Sequence, residues 1–416
     1  MAALRRAPLG HLLKSLPGGI RFPGYRLPQT MTDSRRPAPQ PRSLRLLHVV
    51  LDLEAGGLER LVADLILRLD PKRFESHLLV LLAPGRLARE LEGHAEVHQA
   101  RPSGPGTMVW PRALTRQIRA IAPDVVHTHS GVWYKASLAA RRAGVPRLIH
   151  TDHGRQHPDP WRDRFLDRLA SRRTDVVVAV SEALAHQLRD SVAVDPAKLR
   201  VILNGVDTDR FRPRDDAGGL RPELALGPDV PILGSIGRFD FIKGYDVMLH
   251  ALAELLRDWG DGPAPVLVLA GDGPEEDSLR RLAETLGLGG AVHFLGWRQD
   301  PEGLLPAFTV FTLASRSEGT SVSLLEALSA GVCPVVTDVG GTRAVLGDVL
   351  RDRLVPPQAP QALARAWKQA LTEPGRRRRD GELGRSRVLQ QFSLEAMVRG
   401  YEPLYLDSPT GSAANV

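Results

Sequence analysis

The chain has 416 residues, of which 43% are hydrophobic and 5% aromatic, and this length favours two cores of about 180 residues each over one large domain. The formal net charge is +7, but residues 1–45 hold nine Arg or Lys and one acid, so the remaining 371 residues carry 7 − 8 = −1. A nearly neutral body excludes a basic nucleic-acid surface across the fold, and we predict no nucleic-acid partner.

The basic segment 1–45 is rich in Arg and Pro and has no apolar run long enough for a signal or membrane helix. We expect a disordered extension, and Met31 leaves open that residues 1–30 precede the true start. A targeting peptide is the alternative. Cys333 is the only cysteine, which rules out an internal disulfide and fits a reducing compartment, so the predicted location is cytoplasmic.

From residue 46 onwards, apolar runs of strand length alternate with helical patterns, which is typical of a parallel sheet. The first series of predicted strands is 46–51, 77–82, 124–128, 147–151, 176–180 and 199–203, with helices such as 58–69, 111–121 and 133–143 between them. The second series is 231–236, 266–270, 292–295, 309–313, 334–336 and 353–355, followed by helices 358–372 and 381–389. The sequence therefore predicts an α/β fold with two Rossmann-like parallel-sheet domains.

Residues 207–229 are polar and rich in Gly and Pro, and we interpret them as the interdomain linker. The predicted organisation is a basic extension (1–45), a first, acceptor domain (46–206), the linker (207–229), a second, donor domain (230–390), a terminal helix (391–406) and a frayed tail (407–416).

Two acids stand eight positions apart in SEGTSVSLLEALSAG, residues 317–331: Glu318 on a predicted loop and Glu326 on a helix predicted to begin near Thr320. A carboxylate accepts two hydrogen bonds at once and can hold the vicinal diol of a ribose or hexose. Backbone N–H groups of Gly319, Thr320 and Ser321 at the helix start suit a phosphate. The pattern indicates a nucleotide-sugar site, and the alternative is a helix cap beside a solvated acid.

A second motif lies upstream in PILGSIGRFDFIKGYDVMLHAL, which starts at Pro231. Arg238 directly follows the predicted strand, and Lys243 precedes the next helix. Both cations stand at the carboxyl end of a strand, the ligand edge of a parallel sheet, where they can neutralise charge on a leaving diphosphate. The alternative is a solvated pair beside a helix start.

These motifs, in this order and about 80 residues apart, resemble the donor site of family-4 retaining glycosyltransferases. That family has the GT-B fold, in which two Rossmann-like domains face each other across a cleft. Further segments match in sequence order from residue 46 to 406: HVVLDLEAGGLERLVADL, DVVHTH, TDHG, VAVSEAL, VILNGVDTDRF, LVLAGDGPEEDSL, VHFLGW, VVTDVGG, LVPP and FSLEAMVRGYEPLY.

The resemblance implies roles for residues of both domains. Arg238 and Lys243 look like the pyrophosphate-binding pair, Glu318 like the acid that contacts the transferred sugar, and Glu326 like the acid that holds the donor ribose. His153 resembles the histidine near the reacting carbon. The implied catalytic residues are His153, Arg238, Lys243 and Glu318, and the implied donor-binding residues are Gly56, Gly57, Arg238, Lys243, Glu318, Gly319, Thr320, Ser321 and Glu326.

The resemblance also implies that Gly56 and Gly57 form the turn at which the backbone approaches the donor phosphates. It implies a terminal helix that crosses back to the first domain, and a front-face retaining mechanism in which the leaving phosphate takes the acceptor proton. No metal or other cofactor is expected.

The chain departs from the family pattern in three places. The family usually has an acid three positions after the glycine pair Gly340 and Gly341, where this chain reads TRA. The loop before LVPP reads DVLRDR instead of holding glycines. Thr320 and Ser321 stand where many relatives have a bulky apolar residue.

Four histidines, His127, His129, His150 and His153, leave two neighbouring predicted strands. Their spacing includes no Cys or His-Glu-x-x-His partner, so we interpret them as polar cleft residues and expect no metal site.

Residues 376–379 are four consecutive arginines, predicted as a cationic loop whose ordinary role is solvation. Together with Arg112, Arg116 and Arg119 on a first-domain helix, they also allow peripheral contact with an anionic membrane, at about 1 kcal/mol per basic residue.

The expected function is transfer of a hexose from a nucleotide diphosphate sugar to a hydroxyl of a glycan or lipid-linked sugar, in polysaccharide or glycolipid biosynthesis. A nucleotide-sugar epimerase of the same architecture is the alternative, and a non-catalytic binding protein is a third possibility that the retained donor-site charges disfavour. UDP, GDP and ADP donors are not distinguished, because the base-binding loops near Gly296 and Trp297 vary in this fold.

Overall fold

The computed structural model describes residues 42–54, 56–101, 111–155, 160–214 and 219–407. The strands of the first sheet are β1 (Leu44–Val50), β2 (Phe74–Val80), β3 (Glu96–Gln99), β4 (Val125–His129), β5 (Arg147–Asp152), β6 (Val176–Ala179) and β7 (Leu199–Val201). Those of the second sheet are β8 (Ile232–Ile236), β9 (Val266–Ala270), β10 (Val292–Gly296), β11 (Val310–Leu313), β12 (Pro334–Thr337) and β13 (Leu354–Val355).

Helices connect the strands within each sheet. Those of the first domain are α1 (Gly57–Arg68), α2 (Arg112–Ile121), α3 (Trp133–Ala143), α4 (Trp161–Arg173) and α5 (Glu182–Gln187). The later helices are α6 (Leu220–Glu223), α7 (Tyr245–Arg257), α8 (Glu276–Thr285), α9 (Pro301–Leu304), α10 (Val322–Ser329), α11 (Thr342–Leu346), α12 (Pro360–Thr372), α13 (Pro374–Gln391) and α14 (Leu394–Leu406).

Each sheet has the strand order of a doubly wound nucleotide-binding fold. The first sheet runs β3-β2-β1-β4-β5-β6-β7 and the second runs β10-β9-β8-β11-β12-β13, with every described strand pair parallel. The order reverses between β1 and β4 and again between β8 and β11. Ligands of open α/β sheets bind beside such a reversal, at the carboxyl ends of the strands.

The sheets form because their strands are apolar on both faces. In β1, for example, Leu46, Leu47, Val49 and Val50 are all fully buried. Such strands are stable only when helices cover the two faces, which the alternating helices provide. The chain therefore folds as two α/β domains, each with one parallel sheet, as the sequence predicts.

Helix α14 packs on the first sheet although it follows the second domain. Leu394, Met397, Val398, Tyr401 and Tyr405 are buried in one cluster with apolar side chains of α1 and the first sheet. Ser393 caps the helix by accepting a hydrogen bond from the N–H of Ala396 at 3.2 Å.

The segment between the domains is partly built into the second domain. Phe211 and Leu220 are buried in the core cluster that also contains Ile232 and Phe311. Just before it, Val206 forms a parallel bridge with Ser393, so the two chain crossings between the domains lie side by side.

Several local predictions are wrong. Strand β2 begins at Phe74 instead of residue 77, and the short edge strand β3 was not predicted. Residues 376–379 are not a loop but part of α13, which begins at Pro374 because proline fits the first turn of a helix. Of the predicted extension, residues 44 and 45 belong to β1, while residues 1–41, like residues 408–416 of the predicted tail, lie outside the described residues.

Candidate active site

The predicted cations and the first predicted acid meet at the reversal point of the second sheet. Arg238 follows β8, Lys243 ends a short 3-10 turn after it, and Glu318 lies on the loop after β11. Lys243 Nζ donates to Glu318 Oε1 at 2.6 Å, and Ser315 Oγ donates to the same oxygen at 2.9 Å. Arg238 is exposed and makes no ion pair with any described residue, so its guanidinium is available to an anion.

A third arginine holds the two loops together. The guanidinium of Arg316 pairs with Asp246 at 2.6 Å and stacks on the ring of Phe241, 4.1 Å from its centroid. Its backbone N–H donates to the carbonyl of Ile242 at 2.7 Å. Arg316 therefore holds the loop of Lys243 against the loop of Glu318. The sequence analysis did not identify this residue.

The helix that carries the second acid begins two residues later than predicted. Ser321 is the N-cap of α10, with its Oγ accepting from the N–H of Leu324, and the first helical residue is Val322. Glu326 is buried, and burial raises the pKa of its carboxyl to about 7. Its carboxyl is thus poised between its neutral and ionised forms near neutral pH.

The turn before α10 offers unpaired hydrogen-bond donors. Among the described residues, the backbone N–H groups of Gly319, Thr320 and Ser321 have no acceptor. They stand at the positive end of α10, where an anion is stabilised. The three N–H groups are therefore available to an anion, and their contact with a phosphate stays a prediction.

The side chain of Thr320 joins the domains. Its Oγ1 donates to the carbonyl of Val180 in the first domain at 2.9 Å, and its carbonyl accepts from Asn204 Nδ2 at 3.0 Å. The hydroxyl at this position, one of the departures from the family pattern, therefore has a structural partner.

Backbones of the two domains approach closely at Gly319. A Cβ built on Gly319 would overlap the carbonyl oxygen of His153, and one built on Gly154 would lie 3.3 Å from the nitrogen of Gly319. A side chain at Gly319 would push the loops apart. The predicted histidine and the predicted donor turn are thus direct neighbours.

The glycine turn of the first domain faces the same place. A Cβ on Gly57 would lie 3.3 Å from Val322 Cγ2 in the first turn of α10. Gly56 is the N-cap of α1, and a Cβ there would overlap the carboxylate of Glu59. Both predicted glycines therefore lie beside the donor turn.

Glu59 is an acid of the cleft that the sequence analysis missed. Burial raises the pKa of its carboxyl to about 7, with Asp52 adding to the rise and Arg238 opposing it. The charge of Arg238, a cation of the second domain, therefore favours the ionised form of this first-domain acid. The signal was present in the sequence, because Glu59 stands in the first helical turn after the glycine pair.

His153 belongs to a chain of hydrogen-bonded imidazoles. Its Nε2 lies 3.2 Å from His129 Nδ1, and His129 Nε2 lies 3.1 Å from His48 Nδ1. Burial lowers the pKa of His153 to about 4 and that of His48 to about 3, so these rings are neutral. The hydrogen bonds along these neutral rings can all point in either direction. His153 Nδ1, which is buried and has no partner among the described residues, is the acceptor in one case and the donor in the other.

The other predicted histidines have separate partners. His127 bonds Tyr405 of α14 at 2.9 Å and Thr151 at 2.7 Å. His150 stacks on Trp133 with 4.0 Å between ring centroids. Among the described histidines of this cluster, His48, His127 and His129 could together hold a metal ion, because their nitrogens lie within 4.8 Å of one another.

That buried trio is poorly suited to a cation. Both ring nitrogens of His127 and of His129 already have hydrogen-bond partners, and no carboxylate is part of the group. A divalent ion there would be a buried and uncompensated charge. The trio is better described as the support that orients His153.

The residues at the two other departures from the family pattern form ion pairs. Arg353, the last residue of DVLRDR, is buried and pairs with Asp380 of α13 at 2.6 Å. Arg343, which follows the glycine pair, forms an ion pair with Asp338.

The loop that includes Trp297 is covered by the first domain. The guanidinium of Arg86 lies 4.5 Å from the centroid of the Trp297 ring, and Arg86 also approaches Asp272 at 3.5 Å. Arg86 therefore borders the region where base recognition was expected, and it too was missed from sequence.

Two facing Rossmann-like domains with this charged cleft define a glycosyltransferase of the GT-B class. Comparison with known proteins agrees: residues 55–210 match the family described as Glycosyltransferase Family 4, and residues 219–387 match the family described as Glycosyl transferases group 1. The chain belongs to glycosyltransferase family 4 and is a transferase.

Individual relatives cover most of the chain. It is 28% identical to the lipopolysaccharide core biosynthesis glycosyltransferase LpsE of Rhizobium meliloti, over 85% of this chain and 97% of that one. It is 30% identical to a D-inositol 3-phosphate glycosyltransferase of Frankia alni, over 77% and 84%. The fold matches HepE of Anabaena, solved in complex with UDP and glucose, with a TM-score of 0.76, 21% identity and coverage of 86% and 98%.

None of the helices in the described ranges is both long and apolar enough to cross a membrane.

Proposed function

We propose that this glycosyltransferase moves a hexose from a nucleotide diphosphate sugar to a hydroxyl of a glycan or lipid-linked sugar, with retention of anomeric configuration, in polysaccharide or glycolipid biosynthesis. The supporting observation is the convergence of Arg238, the Lys243–Glu318 pair and the unpaired N–H groups of 319–321 at one sheet edge. The relatives named for lipopolysaccharide synthesis and the neighbour bound to UDP and glucose agree with this substrate class.

The diphosphate would lie between Arg238, Lys243 and the start of α10. At ~4 Å and an effective dielectric near 20, each cation contact is on the order of 4 kcal/mol before desolvation is subtracted. Such fixed charges stabilise a leaving group without rearranging during the reaction. In this proposal they do so without a metal or other cofactor.

The sugar and the nucleoside would be held by the two predicted acids. Glu318 has one oxygen engaged by Lys243 and Ser315, which leaves the other for a sugar hydroxyl. Glu326 would accept the hydroxyls of the ribose when ionised. His153, held in place by His129, would present its unpartnered Nδ1 to the transferred sugar. The departing phosphate would take the acceptor proton.

The test starts with donor identity. Thermal shift with UDP, GDP and ADP and their sugars selects the donor, and NMR of the product reports the anomeric configuration. Arg238→Ala and Lys243→Ala should each lower the transfer rate by roughly two to three orders of magnitude. Arg281→Ala, an exposed arginine on α8, is the matched control and should retain full rate.

Wild-type turnover in either Ala variant would show that the diphosphate is bound elsewhere. Donor supplied alone separates the rival class: an epimerase would convert it to an epimer without an acceptor, whereas a transferase would not.

The proposed location is the cytoplasm, at the inner face of the membrane when the acceptor is lipid-linked. Trp161 and Phe165 of α4 are 71% and 57% exposed. Helix α3 packs against both α4 and α2, so these three helices form one layer. The exposed arginines of α2 on this layer are Arg112, Arg116 and Arg119. By contrast, Arg376 of the predicted cationic loop pairs with Asp352 at 2.7 Å.

Liposome flotation tests this contact. Anionic vesicles should float the wild type but less of a Trp161→Ala, Phe165→Ala double variant, while Val349→Ala, an exposed apolar control on the second domain, should behave as wild type. Equal flotation with neutral and anionic lipid would remove the proposal.

A further inference from the structure

Two histidines and a glutamate meet at the β3 edge of the first sheet, away from the cleft. Parallel pairing sets His77 of β2 opposite Glu96 of β3 and Leu79 opposite His98. His77 Nδ1 lies 3.1 Å from His98 Nε2 and 3.5 Å from Glu96 Oε2. Glu96 Oε1 lies 3.8 Å from His98 Nε2. Three side chains therefore direct ligand atoms at one small volume, with one oxygen of Glu96 and the two imidazole nitrogens within 4.8 Å of one another.

These separations fit the coordination shell of a small metal ion. Ligands bound at about 2.0–2.1 Å in a tetrahedron lie about 3.3–3.4 Å from one another. The observed separations of 3.1, 3.5 and 3.8 Å bracket that value. Each oxygen of Glu96 faces one of the two imidazoles, and a rotation of its side chain, which is 68% exposed, would bring a single oxygen within coordination geometry of both.

A fourth residue orients one ligand. His77 Nε2 lies 3.0 Å from Glu75 Oε1. The Glu75 carboxylate also forms an ion pair with Arg45, whose Nε lies 3.0 Å from Glu75 Oε1. It accepts the Nε2 proton of His77 and leaves the lone pair of Nδ1 directed at His98 and Glu96. A carboxylate behind a histidine is the usual outer partner of a metal ligand.

The surroundings favour a cation and leave it room. The formal charges of Glu75, Glu96 and Arg45 sum to −1 beside neutral imidazoles. The group lines a pocket of about 330 Å³, whose other walls are the uncharged residues Gln117, Ala120 and Ile121 of α2. The pocket has space for a water in the fourth coordination position.

We propose that His77, Glu96 and His98 bind a divalent transition metal of the zinc class, with water as the fourth ligand. Two imidazoles among three ligands select such an ion over Mg²⁺ or Ca²⁺, which take oxygen ligands. The ion ties the edge strand β3 to β2. This departs from the expectation of a metal-free protein, and it concerns a place outside the donor cleft.

The test uses the full chain after treatment with a chelator. Co²⁺ titration should give one equivalent of bound ion with the visible absorption of a tetrahedral site, and Zn²⁺ should displace it. Glu96→Gln and His98→Ala should each weaken binding at least tenfold. Glu75→Gln keeps all three ligands and should weaken binding by about 10–100-fold. His94→Ala, an exposed histidine on the preceding turn, is the matched control and should bind as the wild type.

Stability supplies a second measurement. Zn²⁺ should raise the melting temperature of the wild type and of His94→Ala but not that of Glu96→Gln. The side chain of Glu96 is exposed, so Glu96→Gln should still fold, and the missing shift would then report the lost metal ligand. Absence of tetrahedral Co²⁺ absorption in the wild type would overturn the proposal. Unchanged affinity in Glu96→Gln and His98→Ala would do so too, because the ion would then be bound elsewhere, as in the buried histidine trio.

Discussion

Replacing Glu326 by Gln should change how the stability of the protein depends on pH. Burial raises the pKa of this carboxyl from its ordinary 4.5 to about 7. Between those values the folded state keeps a proton that the unfolded chain has lost, so stability falls as pH rises. Above pH 7 the penalty is complete, at about 3 kcal/mol. Gln imitates the protonated carboxyl and cannot ionise, so the variant escapes the penalty.

The expected magnitude can be followed across a practical range. The stability of Glu326→Gln relative to the wild type should increase by about 2.5 kcal/mol between pH 5 and pH 8. Urea unfolding at pH 5, 6, 7 and 8 measures it. Glu284→Gln, which removes an exposed carboxyl of α8, should run parallel to the wild type. A stability difference that stays constant within about 0.5 kcal/mol would refute the reasoning that Glu326 is ionised against burial.

The same substitution should weaken donor binding while it stabilises the fold. An ionised Glu326 that holds the ribose contributes charge-assisted hydrogen bonds of about 1.5–3 kcal/mol, so the donor Kd should rise about 10–100-fold at pH 8. In the wild type, donor affinity should increase from pH 6 to pH 8 as the carboxyl ionises. Calorimetric titration of donor into both proteins at these pH values measures it, and a pH-independent affinity in the wild type would contradict the role of Glu326.

Three further predictions concern other contacts. Gly319→Ala should lower kcat/KM about 100-fold, because the added Cβ overlaps the His153 carbonyl and displaces the donor turn; wild-type kinetics would disprove this. Asp380→Ala should destabilise the second domain by about 3–5 kcal/mol in urea unfolding, since it leaves Arg353 buried and unpaired, and a loss below 1 kcal/mol would contradict it. Cys333, whose pKa burial raises to about 11, should react with a thiol reagent at pH 8 about 100-fold more slowly than in the unfolded chain, whereas equal rates would show that it is accessible.

The parts of the site that the sequence predicted are those carried by local patterns. Arg238 directly follows an apolar run, and Glu318 and Glu326 flank a helix start, so strand and helix periodicity places them at a ligand edge without knowledge of the fold. The start of α10 was misplaced by two residues because Thr320, a good cap by type, is instead used to bond Val180.

The contacts of the site that the sequence could not predict depend on which strands and loops are neighbours in the fold. His48 and His129 are 81 residues apart and meet only because β1 lies beside β4. Arg86 reaches Trp297 only when the two domains face each other. The sequence did not predict β3, because EVHQ is a four-residue, half-exposed edge strand without an apolar run. Helical and strand periods report local conformation, so they reveal neither the His48–His129 contact nor the Arg86–Trp297 contact, and they give only a weak signal for a short edge strand such as β3.

The position of α14 has a consequence for synthesis on the ribosome. The first sheet is translated early, but Met397, Tyr401 and Tyr405, which cover one of its faces, emerge only after the whole second domain. Until then the face that they cover remains exposed to water or to chaperones. The second domain can complete its core earlier, because that core comes from one continuous stretch of the chain. The domain that the ribosome makes first is thus the one completed last.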